Sequence, residues 1–295
     1  MTPIQESPRS HDALVLQGGA GHALFTLGFL QRAAPALTSV TQIGAVSSGA
    51  AVACLHLLGR HGQALDYFLH AAQQAGSLAS RLELPAALWR IGRGQPPTLH
   101  YTLYRNALHD LLTEASWREL REHPVRLRIL VGRGPGASRL VAGVLATLAM
   151  AGGRTLPGLT AQVFEAQRCG SREGLIDVLL ASSAVPLISP IPRLGGRACV
   201  DGGSVSPIPL PAIQGAENPL VVLTGPEPLR PIPAWMRRAA PAAPLPISPW
   251  SFGDAQGWRR ICELGSQVGA RFAAESQRRT DPDCHEPSAD GKRGA

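Results

Sequence analysis

Two short stretches near the start of the chain restrict its fold more than any other feature. The first, Ala13-Leu-Val-Leu-Gln17, is an apolar run of strand length that enters the turn Gly18-Gly-Ala-Gly21 and then an apolar helical segment. The second, Gln42-Ile-Gly-Ala-Val46, enters Ser47-Ser-Gly49 and another apolar helix. A buried strand, a turn of small residues and a helix, repeated within about thirty-five residues, is how an open parallel sheet presents backbone amides and side chains at its carboxyl edge. The glycine turn suits negative charge, and the second turn holds a serine on a tight strand-to-helix bend.

The remaining segments extend this α/β pattern. Helical readings fall on Gly21 to Ala34, ended by Pro35, on Ser48 to Leu58, closed by Gly59, and on much of His61 to Leu120. That last stretch is interrupted by the Gly/Pro-rich Gly92 to Pro97 and reads as a helical layer or cap. Strands are expected at Val125 to Val131, Ala161 to Ala166, Ala198 to Val200 and Leu220 to Leu223, and a helix at Arg172 to Ser183, before Pro186. Ser138 to Ala151 is apolar on all sides, which fits a buried strand and helix or a mobile lid that meets lipid. These observations divide the chain into a polar N-terminal arm (1–12), one α/β domain (13–224), a proline-rich irregular connection (225–253), an amphipathic helix (254–276) and a polar tail expected to be disordered (277–295). On the helix, Ile261, Leu264, Val268 and Phe272 fall near one face.

Composition narrows the class. Apolar residues make up 44% and charged residues 17%, as expected of a protein with much buried sheet. No apolar run reaches the roughly 20 residues of a membrane span, and Met1 to Asp12 lacks the apolar core of a secretory signal. Five scattered cysteines without a Cys-x-x-Cys pair fit neither a disulfide framework nor a zinc site, and a reducing cytoplasm is the expected location. The net charge of +7 is almost all arginine, Lys292 being the single lysine. A solvated surface accounts for it, and attraction to anionic lipid is the alternative. No basic cluster is interleaved with aromatics, so nucleic acid is not expected.

The chemistry concentrates at three places. Ala45-Val-Ser-Ser-Gly49 is one residue short of a Gly-x-Ser-x-Gly elbow, in which the positions two before and two after the nucleophile must be small. Gly49 satisfies this and Ala45 adds one methyl, whereas Ser48 would be flanked by Val46 and Ala50. A serine needs a proton acceptor. Downstream histidines lie in no strand-end context, and His22, inside the glycine turn, reads as a cap or lining residue. Asp201, between the strand Ala198 to Val200 and the turn glycines Gly202 and Gly203, is a candidate base, or else only shapes its turn. Backbone amides of Gly19, Ala20 and Gly21 are candidate oxyanion donors. A dinucleotide fingerprint fails: Leu24 replaces its third glycine, and no acid occurs between Asp12 and Asp66.

Taken in order, Gln17-Gly-Gly-Ala-Gly-His-Ala23, Ala45-Val-Ser-Ser-Gly49, Ala181-Ser-Ser-Ala-Val-Pro-Leu187 and Asp201-Gly-Gly203 resemble the motifs of the patatin-like phospholipase family. The resemblance implies a three-layer α/β/α fold with a mostly parallel sheet. It also implies a Ser47–Asp201 dyad without histidine, an oxyanion loop over Gly18, Gly19, Ala20 and Gly21, and support from Ala45, Gly49, Gly202 and Gly203. Acyl esters of lipids would be the substrates, and no cofactor or metal would be needed. The arginine excess, separately, leaves peripheral contact with an anionic membrane surface as an expectation. Ala20, Ala23 and Ala45 replace family glycines, and His22 stands where Arg or Lys is frequent. A catalytically weakened binding protein and an acyltransferase are therefore the competing expectations.

Overall fold

The computed structural model describes residues 10–75, 98–227, 231–251 and 253–280. Residues 1–9 of the polar arm, the Gly/Pro-rich interruption at 92–97 and the tail beyond 280 lie outside them. Among the described residues, eight strands form one mixed sheet: β1 (Ala13–Leu16), β2 (Gln42–Val46), β3 (Arg126–Arg133), β4 (Thr160–Glu165), β5 (Arg193–Leu194), β6 (Arg197–Val200), β7 (Pro219–Val222) and β8 (Arg237–Ala239). Their order is β5-β6-β3-β2-β1-β7-β8, with β4 also paired to β3. β3, β2, β1, β7 and β8 are parallel, and β1 sits between β2 and β7, with Leu14 opposite Ile43 and Leu220. All four β1 residues are buried, which is why this strand is apolar without alternation.

The two faces of the sheet are covered differently. Leu14 and Leu16 of β1 join Ile43, Leu127, Ile129 and Val131 in a large core on one face. That face carries α1 (Ala23–Ala33), α2 (Ser48–Leu57), α3 (His61–Ala75), α4 (Leu99–Leu111), α5 (Glu114–Glu122), α7 (Arg172–Ser182) and α8 (Ala255–Thr280). α1 and α8 approach so closely that a Cβ on Gly28 would lie 2.0 Å from the Cys262 carbonyl, and one on Gly265 2.0 Å from that of Phe25. On the other face Val15, Val221 and Leu223 meet Ile208 and partly buried Ile213, Ile232 and Met236, which come from irregular segments. Nearer β6, α6 (Arg139–Gly152) lays Ala142, Ala146 and Ala149 against Ala198 and Val200.

Three sequence expectations change here. Ser138 to Ala151 is a single helix with no strand. Ser138 caps it by accepting from the Val141 amide, Gly153 ends it at φ 61°, and Ala, Leu and Met favour the helix between. The proline-rich connection is not wholly irregular, because β8 extends the sheet through Arg237, Arg238 and Ala239, a run without proline. The C-terminal helix continues to Thr280, four residues past its expected end.

Candidate active site

Ser47 is the hinge between β2 and α2. Its backbone takes φ 54° and ψ −137°, a conformation disfavoured for any residue with a Cβ, at a cost of about 1–3 kcal/mol. The surroundings enforce it. A Cβ on Gly49 would stand 2.5 Å from the Gln17 carbonyl, and one on Gly18 would stand 2.7 Å from Ser47 Cβ, so glycine is required at both. The Ser47 amide donates to Ser182 Oγ at 2.8 Å, and that hydroxyl donates onward to the Leu130 carbonyl at 2.7 Å. Ser182 is thus a buried brace between the bend, β3 and α7. It lies in the Ala181-Ser-Ser motif, so its position was visible in the sequence although its role was not. Ala45, fully buried in β2, fits without displacing the bend, and Ser48 Oγ has no hydrogen-bond partner among the described residues.

Asp201 follows β6, as its sequence position suggests, and reaches this bend from a strand antiparallel to β3. β2 pairs with β3 only as far as Leu130, while β4 occupies the other edge of β3 to Arg133. β6 takes the vacated edge at Gly132 and Arg133, so β2 and β6 meet end to end, and the residues that follow each converge. Gly202 is squeezed into that junction: a Cβ there would lie 2.3 Å from the Leu130 carbonyl and 2.6 Å from Val46 Cγ2. Ser47 Oγ donates to Asp201 Oδ2 at 2.6 Å, and the Gly203 amide donates to Oδ1 at 2.6 Å. Asp201 is 3% exposed. Burial raises its pKa to about 6, against the opposing pull of the hydrogen bonds from Ser47 and Gly203.

The glycine turn lies against the serine. Gly19 takes φ 140° and Ala20 φ 49°, so the methyl at position 20 is borne as backbone strain of about 1–2 kcal/mol. Thr224 clamps the turn: its hydroxyl donates to the Gly18 carbonyl at 2.6 Å, and its amide donates to Gln17 Oε1. The expected set of four amide donors shrinks, because the Gly21 amide donates to the Pro249 carbonyl at 3.0 Å. Gly18, Gly19 and Ala20 remain as candidates. His22 lines the site and donates from Nε2 to the Ile247 carbonyl at 2.7 Å, and His100 donates likewise to Trp250. The Pro249 and Ile247 carbonyls of the proline-rich connection thus strap the glycine turn through Gly21 and His22, a role with no sequence signal because backbone atoms perform it.

These residues border a cavity of about 610 Å3. Apart from Ser47, Asp201 and the turn, its walls are mainly apolar, with Val52, Leu55, Phe68, Ile188 and Trp258 among them. Such a chamber, with one hydroxyl–carboxylate pair and a row of amides at its floor, suits an apolar chain ending in a carbonyl group.

The family model of the patatin-like phospholipases matches residues 14–213. No curated protein matches the chain. Among solved structures, the crystal structure of VipD from Legionella pneumophila is similar over 92% of this chain and 68% of its own, with 11% identity and a TM-score of 0.45. The matched span of the family model takes in the glycine turn, the serine bend and the buried aspartate, and the chain belongs to the patatin-like phospholipase family.

Proposed function

We propose that the protein is a lipid acyl hydrolase in which Ser47 is the nucleophile and Asp201 its proton acceptor. The observation that carries this reading is the 2.6 Å hydrogen bond from the strained Ser47 to a carboxylate that is itself buried. Ser47 Oγ attacks the ester carbonyl and its proton passes to Asp201 Oδ2. The oxyanion forms facing the Gly18, Gly19 and Ala20 amides, each such donor being worth roughly 2.7–4 kcal/mol. Collapse of the tetrahedral species breaks the ester C–O bond, and Asp201 returns the proton to the departing alcohol. Water then gives a proton to Asp201 as its oxygen attacks the acyl-serine, and the proton goes back to Ser47 as fatty acid leaves. A pKa near 6 suits both halves of the cycle, since the carboxylate is ionised at neutral pH yet basic enough to share a proton.

Fatty-acid release from phospholipid, and p-nitrophenol release from short and long acyl esters, test the reading. The wild type turns over, and Ser47→Ala and Asp201→Asn each fall by about a thousandfold or more. Equal rates in all three proteins refute it. With a lysolipid acceptor present, fatty acid rather than diacyl product separates hydrolysis from acyl transfer.

A further inference from the structure

α6 is built inside out. A helix on a soluble protein normally turns its large apolar residues inward. Here the inward face is Ala142, Ala146 and Ala149, while Leu140 (78% exposed), Leu148 (55%), Val141 and Val144 point to solvent. These four lie on one stripe, at helical offsets of one, four and eight residues. Leu187 widens the stripe: it is held exposed at φ 69°, next to Pro186, whose Cβ stands 4.0 Å from where a Cβ on Gly143 would be.

Two further observations say what this face meets. The segments that build it carry charge of one sign, since no acidic residue occurs between Glu122 and Glu165 or between Asp177 and Asp201, and Glu227, which lines the cavity, is paired with Arg238 at 3.6 Å. Exposed Arg139 and Arg154 flank the helix, and exposed Arg193 and Arg197 donate to the carbonyls of Ala137 and Gly134 in the turn that precedes it. The face is also continuous with the candidate active site. Ala149, Met150 and Gly153 at the end of α6, and Val185 and Ile188 beside Leu187, line the Ser47–Asp201 cavity.

From this geometry we infer that α6 and Leu187 form a docking surface for an anionic lipid bilayer, seating the cavity mouth on the membrane. Leu140, Val141, Val144 and Leu148 enter the acyl boundary, and Arg139, Arg154, Arg193 and Arg197 meet the headgroup phosphates. The inference rests on the lipid-ester reading above for what the docked cavity receives, but its test does not depend on turnover.

The Ser47→Ala protein is mixed with vesicles of equimolar phosphatidylcholine and phosphatidylglycerol and sedimented, beside the same protein carrying Leu140→Ser and Leu148→Ser. The serine pair weakens binding by about tenfold or more. Pure phosphatidylcholine weakens it by about fivefold or more. A tryptophan at position 144 (Val144→Trp), in a second variant, shifts its emission to the blue on the same vesicles. Without the Ser47 change, the Leu140→Ser, Leu148→Ser protein cleaves soluble p-nitrophenyl butyrate within about twofold of wild type. Absence of binding to the anionic vesicles, or equal binding by the serine pair, overturns the docking surface. So does a dimer in sedimentation equilibrium that the serine pair abolishes. Failure of the wild type to cleave the soluble ester instead refutes the hydrolase reading and leaves vesicle binding standing.

Discussion

The two faces of the sheet differ in what they do with apolar surface. One face buries its large side chains, Phe25, Phe29 and Leu30 of α1 among them, under α8, with glycines at the closest contacts. On the other face, the part covered by α6 buries that helix's alanines and leaves its leucines outside. The first arrangement yields rigidity, and it is the one from which the glycine turn and the serine bend grow, since α1 and α2 start at those turns. The second leaves apolar side chains in water. The Ser47–Asp201 pair stands where the two regimes join, one residue at the start of α2 and the other just past the strand packed under α6.

The largest expected effect lies on the rigid face. Gly265→Leu places a side chain where the Phe25 carbonyl already stands 2.0 Å from any Cβ. It destabilises the protein by about 3 kcal/mol or more, read as a lost or strongly lowered thermal transition. A protein of unchanged stability would break the contrast between the faces.

Next comes the buried carboxylate. The folded-state pKa of Asp201, about 6, lies above the ordinary value of 3.8, so the folded state holds the proton more tightly than the unfolded chain. Stability falls as pH rises from about 4 to 6 and is flat above, the ionised form costing on the order of 3 kcal/mol at pH 8. Asp201→Asn therefore raises the unfolding free energy at pH 8 by about 2–3 kcal/mol while removing activity, and gains much less at pH 4. The same pKa places the acid limb of kcat/KM near pH 6, with activity rising as the carboxylate ionises.

A smaller effect tests the brace. Ser182→Ala leaves the Ser47 amide and the Leu130 carbonyl without their shared partner, and lowers kcat by about tenfold with KM nearly unchanged. Smallest of all, Leu140→Ser with Leu148→Ser shifts the unfolding free energy by no more than about 0.5 kcal/mol, because both side chains already face water. A loss of several kcal/mol would mean that this face is packed after all.

The fold class and the family were legible because the residues that define them are local. A strand, a small turn and a helix occupy contiguous sequence, and Gly18, Gly49 and Gly202 mark places where backbones nearly touch. What was not legible depends on direction or on backbone atoms. The end-to-end meeting of β2 and β6 follows from an antiparallel return that Ala198 to Val200 does not encode by itself. The Pro249 carbonyl that takes the Gly21 amide could come from any residue type. The inverted packing of α6 was not legible because a segment apolar on all sides has no periodicity to say which face is inward.

The central claim is that Ser47, activated by Asp201, forms a covalent acyl intermediate, and reaction with a fluorophosphonate tests it most directly. Peptide mass analysis is expected to find one adduct per chain, on Ser47, absent in Ser47→Ala and formed at least about a hundredfold more slowly in Asp201→Asn. Labelling of Ser48 or of no serine, or an unchanged rate in the Asn variant, would contradict it.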